Sequence, residues 1–312
     1  KNSDLDSFGA SLAAARIVEN LGKKANIVID YESLEEKTKG VVEMLRSNPD
    51  YKGLMLTISE ALEKANKNTL LISVDNHKDS LAISRSVLDK VKNKVIIDHH
   101  RRSEEFISSP VLTYLEPSAS STVELLVELF DYQQHEIEIS SLDATIMYTG
   151  MLVDTNYFRQ HVGTRTFQSA AKLKEAQADL SLAYELLEDS FECMKEIFDI
   201  TESAYRYKDK FLIATGKDEE LSRSTLAKAA NQLVYVSGIY AAFAIGYISK
   251  NTVAISARSS KKVNVQMIME NDALHGGGHF SMAACQIENV TIEEAKERLE
   301  HAIDAYLEDR GV

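Results

Sequence analysis

Three short apolar runs each close on an aspartate: Asn26–Asp30 (NIVID), Thr69–Asp75 (TLLISVD) and Lys94–Asp98 (KVIID). Their β-branched content and length predict buried strands. Between them lie stretches with apolar spacing near three and four, Ser7–Leu21, Ser33–Leu45 and Ser80–Val91, which predict amphipathic helices. Strands alternating with helices imply βαβ units, hence an α/β domain built on a parallel sheet with helices on both faces. In such sheets ligands bind outside the carboxyl ends of the strands. The three aspartates are therefore expected to converge.

Further along, Ser141–Leu152 reads as a buried helical segment that delivers Asp154-Thr-Asn156. Thr164–Leu187 reads as helical, followed by a long polar helix from Asp189 to Lys208. The second half opens on the strand-like Phe211–Gly216 and continues to Gly238–Ser249 and Thr252–Ser256. Only Lys250-Asn251 separates these last two runs, which suits a tight hairpin. Thr291 and Glu294 form a capping box ahead of a final helix. The organisation expected is an α/β domain over residues 1–187, a helical connector over 188–208 and a smaller α+β domain with a mixed sheet over 209–312. A length of 312 residues is enough for two cores.

Cys193 and Cys285 lie far apart and form no CxxC pair, which suits a reducing compartment without a disulfide framework. A net charge of −13 disfavours long nucleic acid and anionic lipid as partners, but leaves room for a small phosphate ligand in a local cationic cleft. No apolar run is long enough to span a bilayer. The chain opens on Lys1, so an anchor upstream is compatible with it.

Candidate ligands come from four segments: Asp4-Leu-Asp6, Asp75-Asn-His77, Asp98-His99-His100 and Asp154-Thr-Asn156. Any one of them is explained by a helix cap or a turn. Four at the ends of successive elements point to metal, because carboxylates crowded into one cleft repel one another until cations neutralise them. Oxygen ligands mixed with imidazole suit Mn²⁺.

In this order DxD, VDxH, DHH and DTN resemble the motifs of the DHH phosphoesterase superfamily, and Leu274-His-Gly-Gly-Gly-His279 resembles the GGGH signature of its DHHA1 domain. The stretches KNSDLDSFGAS, IIDHHRRS and HGGGHFSMAA are most similar to the catalytic portion of GdpP-type cyclic-di-AMP phosphodiesterases. The resemblance implies two Mn²⁺ ions and hydrolysis of a cyclic dinucleotide to the linear pApA. It assigns Asp4 to the first metal, Asp6 to the second and Asp75 to both, with His99 and Asp154 completing the second site. It gives His100 a substrate phosphate, and Asp98 the task of orienting the neighbouring imidazole. Asp75, Asp98, His99, His100 and Arg258 form the implied catalytic set. The family's first motif reads HxxxDxD. Its histidine would fall immediately before Lys1, in a strand that also precedes this sequence, so a full second site and a labile first site are expected.

Gly276, Gly277 and Gly278 stand together in a chain with 13 glycines, flanked by His275 and His279. Such a loop lets backbone approach an anion closely. Arg258 closes a strand-like run with a group suited to bidentate phosphate contact, a surface salt bridge being the alternative. By resemblance, His100, Arg258, His275, the three glycines and His279 bind substrate across an interdomain cleft. His77 is assigned a supporting or substrate role beside Asp75. The resemblance further implies a cytoplasmic domain of a membrane-anchored protein, with no membrane contact by this segment, and is compatible with a homodimer. The rival functions are a nanoRNase or oligonucleotide exonuclease of the same superfamily, and a signalling module that binds nucleotide without hydrolysis.

Overall fold

The computed structural model describes residues 3–260 and 262–309; Lys1 and Asn2, which open the first acidic motif, lie outside them. The chain divides into two compact units, Lys1–Glu188 and Asp189–Val312.

The first unit runs α1 (Leu5–Asn20), β1 (Ile27–Ile29), α2 (Glu36–Arg46), β2 (Met55–Thr57), α3 (Ile58–Lys64), β3 (Leu70–Val74), α4 (Arg85–Lys90), β4 (Asn93–Asp98), β5 (Leu112–Leu115), α5 (Thr122–Leu129), α6 (Ser141–Asp154), α7 (Thr164–Glu175) and α8 (Leu180–Glu185). Every strand pair is parallel: β1 with β2, and β3 with β4 with β5. The two ladders are separate sheets, and a cavity of about 900 Å³ is lined by α1, β1 and β3, with Asp75 among its lining residues.

The first core is built where α1 lies on α6. Leu12, Ala13, Ile146, Met147 and Met151 are fully buried there. Gly150 permits the close approach, because a Cβ at that position would come within 2.7 Å of the Leu5 carbonyl and 3.0 Å of the Asp6 Cα. The same contact fixes the start of α1 beside the end of α6, where two of the acidic motifs sit. Arg16 of α1 reinforces it with paired bonds from Nε (2.9 Å) and Nη2 (3.1 Å) to the buried Asp143 of α6.

The second unit runs α9 (Phe191–Glu202), β6 (Tyr205–Tyr207), β7 (Phe211–Glu220), α10 (Arg223–Leu233), β8 (Ala241–Ser249), β9 (Thr252–Ser259), α11 (Val265–Met269), β10 (Gly277–Gly278), β11 (Met282–Glu288) and α12 (Ile292–Glu308). Its six strands form one mixed sheet in the order β10-β11-β9-β8-β7-β6, with β7 and β8 parallel and the other pairs antiparallel. Strand alternation divides the core by face. Phe243 and Ile245 of β8 pack with Leu299 and Ile303 of α12. Ala242 and Ala244 pack with Ile197 and Ile200 of α9 and Leu226 of α10.

Several elements differ from the sequence reading. The helix expected over Ser80–Val91 is shortened to Arg85–Lys90, because Ser84 adopts extended backbone and its hydroxyl caps the amide of Val87. The stretch Thr164–Leu187 breaks into α7 and α8 at Gln177, which takes a left-handed φ of 66°, and Asp179 caps the new start. The helix expected to reach Lys208 ends at Glu202. Tyr205–Tyr207 then alternates as edge strand β6 against β7. The run read as Thr252–Ser256 extends to Ser259, which places Arg258 within the strand. Among the described residues no helix is long and apolar enough to cross a membrane.

Candidate functional site

Four elements of the first unit deliver the acidic cluster. One ligand atom each from Asp6 (α1), Asp75 (end of β3), His99 (end of β4) and Asp154 (end of α6) lie within 4.8 Å of one another. A second grouping joins Asp75 and His99 to His100. Asp4 belongs to neither. It is the N-cap of α1, its Oδ1 accepting from the Ser7 amide at 3.0 Å.

Asp6 is fully buried and aimed at another helix start, since its two oxygens accept from the amides of Thr122 (2.8 Å) and Val123 (3.1 Å) at the head of α5. The positive end of that helix favours the carboxylate. Even so, burial, followed by repulsion from Asp154 and Asp4, raises its pKa to about 7 against the pull of His99 and Thr122. Asp75 sits at φ 56°, the left-handed region that aspartate tolerates better than most residues. Its amide donates to the Ile97 carbonyl at 2.9 Å and its Oδ1 accepts from the Thr122 hydroxyl at 3.1 Å. Backbone strain of this kind collects at functional sites, held there by the surrounding structure.

The two histidines after β4 are held differently. His99 turns Nδ1 toward the Ala119 carbonyl at 3.4 Å and Nε2 into the carboxylates, 2.9 Å from Asp154 Oδ2 and 3.5 Å from Asp75 Oδ1. Neither oxygen lies on the line of a hydrogen bond from Nε2, so this buried nitrogen is an orphan. Burial disfavours its charge, yet Asp154, Asp6 and Asp75 outweigh burial and raise its pKa to about 10. His100 donates from Nδ1 to Asp98 Oδ1 at 2.8 Å, and its side chain remains 33% exposed.

Asp98 is the anchor of this loop. Besides the His100 ring it accepts from the His100 amide at 3.0 Å and from His77 Nδ1. Burial would raise its pKa, but these bonds to both histidines hold it well below the usual carboxylate range. His77 accepts at Nε2 from the Ser103 amide (3.2 Å), so it is the Nδ1–H tautomer and is buried. Its ring supports Asp98 from this buried position. Arg101 and Arg102 are exposed, Arg102 lying over the Phe106 ring at 4.9 Å.

In the second unit, antiparallel register sets Arg258 of β9 opposite Met282, and the His279 amide donates to the Met282 carbonyl at 2.7 Å. Arg258 and the end of the glycine loop are thus neighbours. Its Nε donates to Asn231 Oδ1 (2.9 Å) and its Nη1 to the Ala257 carbonyl (2.9 Å). Among the described residues no carboxylate pairs with it, and burial lowers its pKa to about 10. The salt-bridge alternative does not apply.

The three glycines are not equivalent. A Cβ on Gly276 would lie 2.6 Å from the Ala284 carbonyl, and one on Gly278 would lie 2.5 Å from Ala283 Cα. Both serve packing of the loop on β11, and the Gly276 amide is bonded to the Met269 carbonyl at 2.7 Å, so it is not aimed at an anion. Gly277 alone faces open space. His275, at φ 49°, and His279 are exposed at either end.

The family model of the DHH family, N-terminal domain, matches residues 1–151, and that of the DHHA1 domain matches residues 208–309. The chain carries a DHH-family domain followed by a DHHA1 domain. Two similar relatives are the cyclic-di-AMP phosphodiesterase PdeA of Listeria monocytogenes, 40% identical over 97% of this chain and 46% of that protein, and GdpP of Bacillus subtilis, 38% identical over 99% and 47%. The chain therefore spans about half the length of these relatives. An exopolyphosphatase-related protein from Bacteroides fragilis shares the fold, with a TM-score of 0.79 at 20% identity over 98% of this chain and 90% of its own.

The DHH cluster fits a divalent cation by its own chemistry. Three carboxylates converge on a buried imidazole nitrogen with no aligned hydrogen-bond partner, which is the environment of a ligand atom. Oxygen and imidazole donors suit Mn²⁺ and its first-row neighbours.

Sequence reading missed Thr122, whose amide holds Asp6 and whose hydroxyl holds Asp75. A signal was present in Ser121-x-x-Glu124, a helix-start pattern, but it says nothing of what the start faces. Thr122→Val keeps the amide and the β-branched shape while deleting the hydroxyl. It should lower metal affinity by about 10-fold, the usual scale for a partner of a ligand, with calorimetric titration as the measure.

Proposed function

We propose that this chain is a metal-dependent phosphodiesterase that hydrolyses cyclic-di-AMP to linear pApA. The observation that carries the reading is the Asp6–Asp75–His99–Asp154 quartet around the orphaned His99 Nε2. Likeness to the PdeA and GdpP relatives supports the substrate. The quartet would hold one Mn²⁺, and Asp4 with Asp75 would hold a second; metal bound there would neutralise phosphate charge and lower the pKa of a water.

The chain's own groups do the rest. Asp98 fixes His100 by its Nδ1, so that Nε2 is presented to a phosphoryl oxygen. Arg258, Gly277 and His279 of the DHHA1 domain are suited to bind a substrate phosphate. Attack of the water oxygen on phosphorus breaks the P–O3′ bond. The departing 3′ oxygen takes up a proton, and the 5′-phosphate stays on the linear dinucleotide. Asp6 and Asp154 complete the quartet around His99.

Product analysis with cyclic-di-AMP, cyclic-di-GMP and a short RNA, each with Mn²⁺ or Mg²⁺, tests this reading. The expected result is pApA from cyclic-di-AMP, fastest with Mn²⁺. Preferential shortening of RNA would make the chain an oligonucleotide exonuclease, and binding without turnover would make it a nucleotide-binding module.

A further inference from the structure

Among the described residues, Arg258 is a cation held by neutral acceptors alone. The guanidinium has five N–H donors; Asn231 Oδ1 takes the one on Nε, and the Ala257 carbonyl takes one on Nη1. Among the described residues the other three hydrogens, two on Nη2 and one on Nη1, have no acceptor, enough for two bonds to a phosphate. A guanidinium nitrogen only donates, so the Asn231 oxygen and not its amino group must face Nε.

The identity of that acceptor matters. An arginine enclosed in protein ordinarily finds a carboxylate, which orients it and cancels its charge. Asn231 lies on α10, packed on the sheet that carries β9, and supplies the orientation without the cancellation. The Ala257 carbonyl does the same from the strand itself. We propose that Asn231 is a positioning residue that aims the Arg258 guanidinium while leaving its full positive charge for a substrate phosphate. This rests on the reading of Arg258 as a phosphate contact.

The discriminating variant is Asn231→Asp. It is isosteric and keeps an acceptor at the same 2.9 Å position, but it turns the neutral clamp into an ion pair. A structural role alone would be satisfied by aspartate at least as well as by asparagine. The charge-sparing role would not, because the guanidinium would reach the phosphate already neutralised. The expected result in the full chain with saturating Mn²⁺ is a KM for cyclic-di-AMP raised roughly 10- to 100-fold, the range of a charged hydrogen bond. The change in kcat should be smaller, and the melting temperature equal or higher. Asn231→Ala should raise KM less than Asn231→Asp.

Arg258→Ala separates the two layers of the inference. If Arg258→Ala leaves KM unchanged, the phosphate contact is wrong and Asn231 has nothing to position. If Arg258→Ala raises KM but Asn231→Asp retains the wild-type value, the contact stands and the role of Asn231 is overturned. A lower melting temperature in Asn231→Asp overturns it too, since a carboxylate beside an enclosed guanidinium should hold the fold no worse.

Discussion

Asp75→Ala should abolish hydrolysis and remove most of the affinity for divalent metal. Asp75 is the one carboxylate common to both groupings of candidate ligands, with Asp6, His99 and Asp154 and with His99 and His100. Removing it leaves buried Asp6 and half-buried Asp154 with one fewer carboxylate around any cation, so the loss should exceed the roughly 10- to 100-fold typical of an outer partner. Alanine also fits poorly at φ 56°, so this variant confounds ligand loss with backbone strain. Asp75→Asn separates the two, because asparagine enters the left-handed region readily and keeps the acceptor for Thr122. The expected outcome is a melting temperature near wild type, with metal binding and turnover lost. Calorimetric Mn²⁺ titration beside an activity assay provides the check, and wild-type-like turnover in Asp75→Asn would sink the assignment of a metal to this cluster.

The DHH strand was readable because two local rules agree there: a β-branched run fits a parallel strand, and its polar end must lie where such sheets bind ligands. What sequence could not separate were Asp4 and Asp6. They differ by two residues, and both suit a helix start. Asp4 caps its own helix through a neighbour three residues on, whereas Asp6 is held by amides at Thr122 and Val123. That second set of contacts spans more than a hundred residues and leaves no local trace. The over-long helix expected through Lys208 has the opposite origin. Helical periodicity runs smoothly into Tyr205-Arg-Tyr207, and only pairing with β7 turns the alternation into a strand. Arg258 was legible as a phosphate-binding type. Its freedom from carboxylates was not, since Asn231 comes from a different element.

The glycine run offers the largest contrast between neighbouring positions. Gly278 has φ 149°, and a Cβ there would stand 2.5 Å from Ala283 Cα and 2.5 Å from the Met282 carbonyl, all of it backbone that has little room to yield. Gly278→Ala should therefore destabilise the second unit by about 3 kcal/mol or more, through backbone strain and overpacking together. Gly276→Ala meets the Ala284 carbonyl and Cys285 Cβ at 2.6 Å and should behave alike. Gly277→Ala meets nothing within 4 Å, so its stability should stay within about 0.5 kcal/mol of wild type. If that open face receives the substrate, Gly277→Val should raise KM or slow turnover while Mn²⁺ content and melting temperature hold, because its branched side chain suits a strand but fills the approach. Denaturant unfolding, metal content and KM measured on the same four proteins decide it. Wild-type KM in Gly277→Val would remove the loop from the binding site, and wild-type stability in Gly278→Ala would show that β10 does not pack on β11 as closely as described.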